Sequence, residues 1–193
     1  MRDGEVRQSD AMFRLLPLLF LLLSACAPDR PSGFPAGGDF VLQSADGPVD
    51  SRALRGKVVL LYFGYTRCPD ICPASMSVNA QALNALDPET RKKTAVLLVS
   101  LDPDRDTLPV LKQYASFFHP NMIGVTGTPA EIEAAAKAYG VGYVKQKPDA
   151  YGNYAVDHSA QTFVLDPDGE LVEILQLGAT ADKTVAAIRR HLP

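Results

Sequence analysis

Residues 57–73 read KVVLLYFGYTRCPDICP, and the prediction of the fold starts from this stretch. Its first part, 57–65, is a nearly continuous β-branched and aromatic run, which is typical of a strand buried on both faces of a parallel sheet. Gly56 predicts a turn before the strand. Two cysteines follow in a loop, and the apolar spacing after them predicts a helix over 75–86. The expected order is therefore strand, cysteine loop, helix.

The segments after this helix continue to alternate between strand and helix patterns. Buried strands are predicted over 94–101 and 122–125, and helices over 107–118 and 129–139. Alternation of this kind predicts βαβ units and parallel strands.

From residue 142 the chain becomes richer in strands, which are predicted over 143–146, 162–166 and 171–176. The turn Asp166-Pro167-Asp168-Gly169 predicts a hairpin between the last two strands. A helix over about 181–191 closes the chain. We therefore expect one α/β domain, with a central mixed β-sheet flanked by helices and an added β-hairpin.

The start of the chain is typical of an export signal. Residues 15–25 (LLPLLFLLLSA) form an apolar run after Arg14 that is too short to span a membrane. The run ends in LSAC, which is similar to the lipobox of bacterial lipoproteins. We expect 1–25 to be a lipoprotein signal peptide and Cys26 to be lipidated; an ordinary signal peptide with an incidental cysteine is the alternative. Acidic residues before Met12 favour Met12 as the true start.

Residues 26–39 are rich in Pro and Gly and are expected to form a flexible linker to the lipid anchor. The remaining residues, 40–193, are enough for a single domain with its own core. The protein is thus expected to be exported, anchored in the membrane and exposed to the periplasm or another extracytoplasmic space. A formal net charge of −3 without a basic run in the folded part argues against binding nucleic acid.

Cys68 and Cys72 are the pair left when one of three cysteines carries lipid. In an oxidising compartment such a pair forms a disulfide, a metal site, or both in turn. Pro73 fits the first turn of a helix, and Asp70 is the predicted N-cap. Both sulfurs would then lie at the positive end of a helix, which favours the thiolate.

Two thiolates leave a metal site incomplete, and the chain has three histidines that could complete it. His119 is expected to cap a helix or lie on the surface, and His191 suits the dipole of the last helix. His158 directly precedes the strand over 162–166 and is expected near the edge of the sheet. On this ground alone a structural role and metal ligation both stay open for His158.

Three stretches resemble the Sco/SenC family of copper proteins: YFGYTRCPDICP (62–73), SLDPDRDT (100–107) and DHSAQTFVLDPDG (157–169). The resemblance covers essentially the whole folded part and implies a thioredoxin-like fold. The family's copper ligands, two cysteines of a CxxxC loop and a distant DHS-type histidine, match Cys68, Cys72 and His158. The resemblance therefore implies one copper ion per chain, as Cu(I) or Cu(II), held by these three residues.

This ligand set makes chemical sense, because soft thiolates select Cu(I) and imidazole serves both oxidation states, although zinc also accepts such ligands. Neighbours such as Asp157 are expected to support His158. The resemblance implies a chaperone that assists assembly of the binuclear copper centre of cytochrome c oxidase, by delivering copper or by keeping the target's cysteines reduced. The implied partner is the copper-bearing oxidase subunit or another copper protein.

The alternative is an extracytoplasmic thiol–disulfide oxidoreductase in which Cys68 and Cys72 form a catalytic redox pair. Thioredoxin-like enzymes of that kind generally use CxxC, often after Trp, and carry a cis-proline before a strand. Here the spacing is CxxxC, the chain has no Trp, and Ala160 aligns with that proline. These differences favour the metallochaperone. A peroxidase is less favoured still, because Tyr65 stands three residues before Cys68 where Thr would be expected.

The acidic stretch 102–107 (DPDRDT) has two interpretations. The favoured one is a turn and helix cap with a local Arg–Asp pair. The other is an acidic rim for docking a partner.

Overall fold

The structure is a computed structural model that describes residues 34–192. The predicted signal peptide (1–25), Cys26, which is predicted to be lipidated, and the first part of the predicted linker lie outside these residues. Within the described range, no helix combines the length and the apolar character that crossing a membrane requires.

Strands and helices alternate over most of the described chain. The strands are β1 (Val41–Ser44), β2 (Gly47–Asp50), β3 (Val58–Gly64), β4 (Thr94–Ser100), β5 (Met122–Val125), β6 (Tyr143–Lys145), β7 (Val156–His158), β8 (Thr162–Leu165) and β9 (Leu171–Leu175). The helices are α1 (Ile71–Ala85), α2 (Pro88–Lys92), α3 (Leu108–Phe118), α4 (Pro129–Ala138) and α5 (Ala181–His191), with a 3-10 turn over Ser51–Leu54.

Strand β3 lies at the centre of a five-stranded sheet with the order β5-β4-β3-β8-β9. It runs parallel to β4 and antiparallel to β8, and β9 pairs antiparallel with β8 after the predicted hairpin turn. All residues of β3 are buried, as its continuous apolar run predicts. The central mixed sheet, flanked by helices, confirms the expected α/β, thioredoxin-like fold.

Helix α1 carries the second cysteine of the loop into the core. Cys72, Met76 and Leu83 are fully buried on one helix face, and Pro73 lies in the first turn as predicted. Asp70 occupies the N-cap position, but its side chain makes no capping hydrogen bond. The predicted cap is wrong because the backbone of Asp70, at φ −138° and ψ −72°, departs from the extended conformation usual at this position.

Two small antiparallel ribbons lie outside the five-stranded sheet, and the sequence pattern predicts neither pairing. One joins β1 to β2, and the other joins β6 to β7, with Tyr143 opposite His158. His158 is therefore not at the edge of the main sheet, where we expected it. It ends a strand of a separate ribbon, which we call the histidine ribbon (β6 and β7).

Residues 34–39, which we assigned to the flexible linker, are bonded to the domain. The amide of Gly37 donates to the carbonyl of Ala138 at 3.0 Å, and the Asp39 carboxylate accepts from Ser51 and Arg55. The contacts of the domain thus begin before residue 40.

The loop that carries Cys68 is tied to the end of β4 by a buried carboxylate. Asp106 has no exposed surface and accepts three hydrogen bonds. The Thr66 amide and hydroxyl donate at 2.9 and 2.6 Å, and the Ser100 hydroxyl donates at 2.6 Å. Because Thr66 lies two residues before Cys68, Asp106 determines where the first thiol can lie.

The loop that precedes β7 is bonded to the same acidic stretch through Arg105. This guanidinium pairs with the buried Asp102, donates to the Tyr154 carbonyl at 2.9 Å, and stacks 3.4 Å from the Tyr154 ring centroid. The Tyr154 hydroxyl in turn donates to Asp102 at 2.6 Å. The Arg–Asp pair and the turn of the favoured interpretation are present, whereas Thr107 at the N-cap of α3 makes no side-chain capping hydrogen bond. An acidic rim has little support, because Asp102 and Asp106 are buried and the exposed Asp104 pairs with Lys145.

We expect Asp106→Ala to lower the free energy of unfolding by about 3 kcal/mol, because each buried donor left without an acceptor costs roughly 1–3 kcal/mol. Asp104→Ala is the matched control, since it removes an exposed carboxylate from the same stretch and should change stability little. Urea denaturation followed by circular dichroism measures both. Equal effects of the two variants would contradict the role given to Asp106.

Candidate metal and thiol site

The two cysteines of the loop lie at different depths. Cys68 follows β3 and keeps 9% of its surface exposed, whereas Cys72, the second residue of α1, is fully buried. Both are free thiols, and the Cys72 amide donates to the Cys68 sulfur at 3.5 Å. This contact holds the Cys68 sulfur against the N-terminal end of α1.

His158 is brought against the cysteines although it lies far along the chain. Its Nε2 is 3.4 Å from the Cys72 sulfur, and its Nδ1 donates to the Ser159 carbonyl at 2.9 Å. Because Nδ1 holds the proton for that carbonyl, Nε2 is free to accept a proton or bind a metal. The Asp157 carboxylate accepts from Gln146 and makes no hydrogen bond to His158, so the support expected from it is limited to its charge, which partly offsets the lowering of the pKa of His158 by burial.

The ligand atoms of Cys68, Cys72 and His158 all lie within 4.8 Å of one another. Two ligands held at about 2.0–2.3 Å from one tetrahedral ion are separated by roughly 3.5–4 Å, so only a small closure would bring all three onto one ion. Among residues 34–192, no other group of three His, Cys, Asp or Glu side chains is placed to do so.

Burial determines the protonation of this site. It raises the pKa of Cys72 from its ordinary value of 9.0 to about 12, and it lowers the pKa of His158. At neutral pH Cys72 is therefore a thiol and His158 is uncharged. We expected the helix end to favour a thiolate at both cysteines; at Cys72 that is wrong, because loss of solvation outweighs the helix dipole.

The other two histidines lie elsewhere in the structure. His119 follows α3, and its Nδ1 accepts from the Asn121 amide at 3.0 Å. It is buried, so the surface alternative is wrong. His191 lies in the last turn of α5, as predicted, and its Nε2 is 3.2 Å from the Glu173 carboxylate.

Two tyrosines that the sequence does not single out as parts of the site flank the imidazole. The rings of Tyr62 and Tyr65 meet His158 edge to face, with centroids 6.3 and 6.0 Å away. Tyr65, Cys68 and His158 also line a surface depression of about 300 Å³. The site is thus enclosed by aromatic rings on the inside and open to solvent on the side of Cys68.

A thioredoxin-like domain whose CxxxC loop faces a histidine defines a protein that handles thiols or a thiophilic metal. The SCO1/SenC family model matches residues 28–193, and the chain therefore belongs to the SCO1/SenC family.

Individual relatives agree with this family. Protein SCO2, mitochondrial, of Saccharomyces cerevisiae is 40% identical over 159 residues, covering 81% of this chain and 52% of the relative. Protein SenC of Rhodobacter capsulatus is 39% identical over 153 residues, covering 79% of this chain and 68% of the relative. The solved structure of Bradyrhizobium japonicum ScoI with copper bound is 37% identical, with a TM-score of 0.74 over 81% of this chain and 99% of that one. The chain spans only 52–62% of the length of the mitochondrial relatives it matches.

We expect the stability of the reduced, metal-free protein to fall above pH 9. Between pH 9 and 12 the unfolded Cys72 loses its proton while the folded one keeps it, so stability present below pH 9 is lost as pH rises. The slope should be about 1.4 kcal/mol per pH unit. Urea denaturation at a series of pH values measures it.

Cys72→Ser is the control for this titration, because serine keeps the size of the side chain and does not titrate in this range. Subtracting its curve of unfolding free energy against pH removes the contribution of the tyrosines, which titrate in the unfolded chain near pH 10. If the free energy of unfolding falls with pH equally in the wild type and in Cys72→Ser above pH 9, Cys72 is not shielded from solvent.

Proposed function

We propose that this protein binds one copper ion, as Cu(I) or Cu(II), through Cys68, Cys72 and His158. The observation that carries the proposal is the convergence of two sulfurs and an imidazole nitrogen within 4.8 Å. Thiolates are preferred by Cu(I), and imidazole binds both oxidation states. The copper-bound ScoI relative, similar over most of its own length, supports the same choice of metal.

We propose that the bound copper serves assembly of the copper centre of cytochrome c oxidase, as membership of the SCO1/SenC family favours. The partner would be the copper-bearing oxidase subunit or another copper protein. Cys72 is fully buried, whereas Cys68 and His158 line the open depression. An incoming cysteine or histidine of the partner can therefore replace Cys68 or His158 first, with Cys72 the last ligand to be released.

Thiol reduction of the target is the second candidate function. The arrangement that favours it is one thiol near the surface with a second beneath it, since Cys68 could attack a disulfide and Cys72 could then resolve the mixed disulfide. Against a general oxidoreductase, Ala160 aligns with the cis-proline of such enzymes, and the backbone of residues 34–192 contains no cis peptide bond. Reduction specific to a copper protein is compatible with both features.

We expect titration of the reduced protein with Cu(II) to give one copper per chain, and His158→Ala to weaken binding by at least tenfold through loss of a ligand. His191→Ala is the matched control, because His191 pairs with Glu173 on another part of the surface. Absorption in the thiolate-to-copper charge-transfer region follows the titration. Equal affinity in all three proteins would remove His158 from the site, and zinc bound in preference to copper would overturn the choice of metal.

We further propose that the protein is exported and anchored through a lipid on Cys26, facing the periplasm or an equivalent space. The apolar run over 15–25 and the LSAC sequence at its end support this proposal. Residues 1–25 would be removed, and 26–33 would join the anchor to the domain.

We expect globomycin, which inhibits lipoprotein signal peptidase, to block processing of the chain expressed in a bacterium. The Cys26→Ser variant should lack the lipid and should not partition into detergent. Measurement of the chain's mass and its labelling by fatty acid tests both. Cleavage that is insensitive to the inhibitor would contradict lipidation while leaving export intact.

A further inference from the structure

The hydroxyl of Tyr62 is an unexplained polar group in the core. Tyr62 lies in β3 with no exposed surface, and its hydroxyl makes no hydrogen bond within residues 34–192. Buried polar groups almost always have a partner, because leaving one without costs free energy. A donor in this position therefore calls for an acceptor that arises in another state of the protein.

The surroundings of Tyr62 point to the sulfur of Cys72. A methyl group on Gly64 would lie 2.8 Å from Cε1 of Tyr62 and 2.9 Å from Sγ of Cys72, so the ring and the sulfur converge on the space that this glycine leaves. The same ring meets His158 edge to face. Tyr62 thus packs against two of the three proposed ligands.

The pKa of Tyr62 reports the same neighbours. Burial raises this pKa, the Cys72 sulfur raises it further, and Ser75 lowers it. The hydroxyl therefore lies beside both side chains without reaching hydrogen-bond geometry with either.

A change of charge on Cys72 would provide the missing acceptor. A protonated thiol is a weak acceptor, so the Tyr62 hydroxyl gains little from it in the metal-free protein. When copper binds, a bond forms between the metal and the Cys72 sulfur, the S–H bond breaks, and the proton leaves to solvent. The sulfur is then a thiolate, and hydrogen bonds to charged groups are about twice as strong as those between neutral groups.

We propose that Tyr62 donates a hydrogen bond to the Cys72 thiolate in the copper-bound protein and so adjusts the balance between Cu(I) and Cu(II). This inference rests on the proposed copper function. Tyr62 does not contact the ion, and it acts as a positioning residue through Cys72. A hydrogen bond withdraws electron density from the sulfur and thereby favours the reduced metal.

Tyr62→Phe in the full chain tests this inference, because it removes the hydroxyl and keeps the ring. We expect the ratio of Cu(I) to Cu(II) affinity to fall roughly tenfold, which lowers the reduction potential by about 59 mV. The thiolate-to-Cu(II) charge-transfer band should move to lower energy, because the sulfur becomes a better electron donor. The metal-free variant should be no less stable to urea, because the lost hydroxyl had no partner there.

Tyr139→Phe is the matched control, since Tyr139 is an equally buried core tyrosine whose hydroxyl donates to the Gly38 carbonyl and not toward the cysteines. Its band and potential should equal those of the wild type. Ser75→Ala should also leave the charge-transfer band in place. A shift as large as that of Tyr62→Phe would assign the hydrogen bond on the Cys72 sulfur to the Ser75 hydroxyl and overturn the inference. A wild-type band and potential in Tyr62→Phe would overturn it as well, whereas failure of the wild type to bind copper would overturn the proposed function itself.

Discussion

The buried carboxylate of Asp106 and the neighbouring guanidinium of Arg105 connect the two parts of the chain on which the site depends. Asp106 accepts from Thr66, just before the cysteine loop, and Arg105 bonds to Tyr154, just before the strand that ends in His158. The cysteines and the histidine lie in different parts of the chain, and the acidic stretch 102–107 forms hydrogen bonds next to both. The stretch is thus part of the scaffold of the site, although it supplies no ligand.

Depth separates the two sulfurs into different chemical environments. Cys72 lies under the cysteine loop, where lack of water keeps it protonated until something replaces its proton. Cys68 reaches the surface, and its sulfur accepts a hydrogen bond from the Cys72 amide. The proposed ligand set has one closed side and one open side, so it would hold an ion firmly and still let a partner approach it. A purely structural disulfide would need no such difference.

The sequence predicts the elements with strong patterns and misses those whose order comes from tertiary contacts. Strand β3 and the hairpin of β8 and β9 follow from a continuous apolar run and from a turn of defined chemistry. Strand β7 has three residues, too few to show a period, and its partner β6 lies across residues 146–155, a connection too long for a tight hairpin turn to fix the pairing. The loop spacing alone indicates a metal or redox pair. The proximity of Cys72 to His158, 86 residues apart, was predicted only through family resemblance. The pattern also shows that Tyr62 is buried but not what its hydroxyl faces.

The histidine ribbon shares no strand ladder with the five-stranded sheet. An ion held by Cys68, Cys72 and His158 would therefore join two separately paired pieces of backbone, much as a disulfide joins two distant cysteines. Cross-links that close long stretches of chain reduce the freedom of the unfolded state most. Under the proposed function, a copper ion bound in this way would act as a reversible cross-link, and the loaded protein would resist unfolding and proteolysis. After release of the ion, the histidine ribbon would be held only by its own weaker contacts.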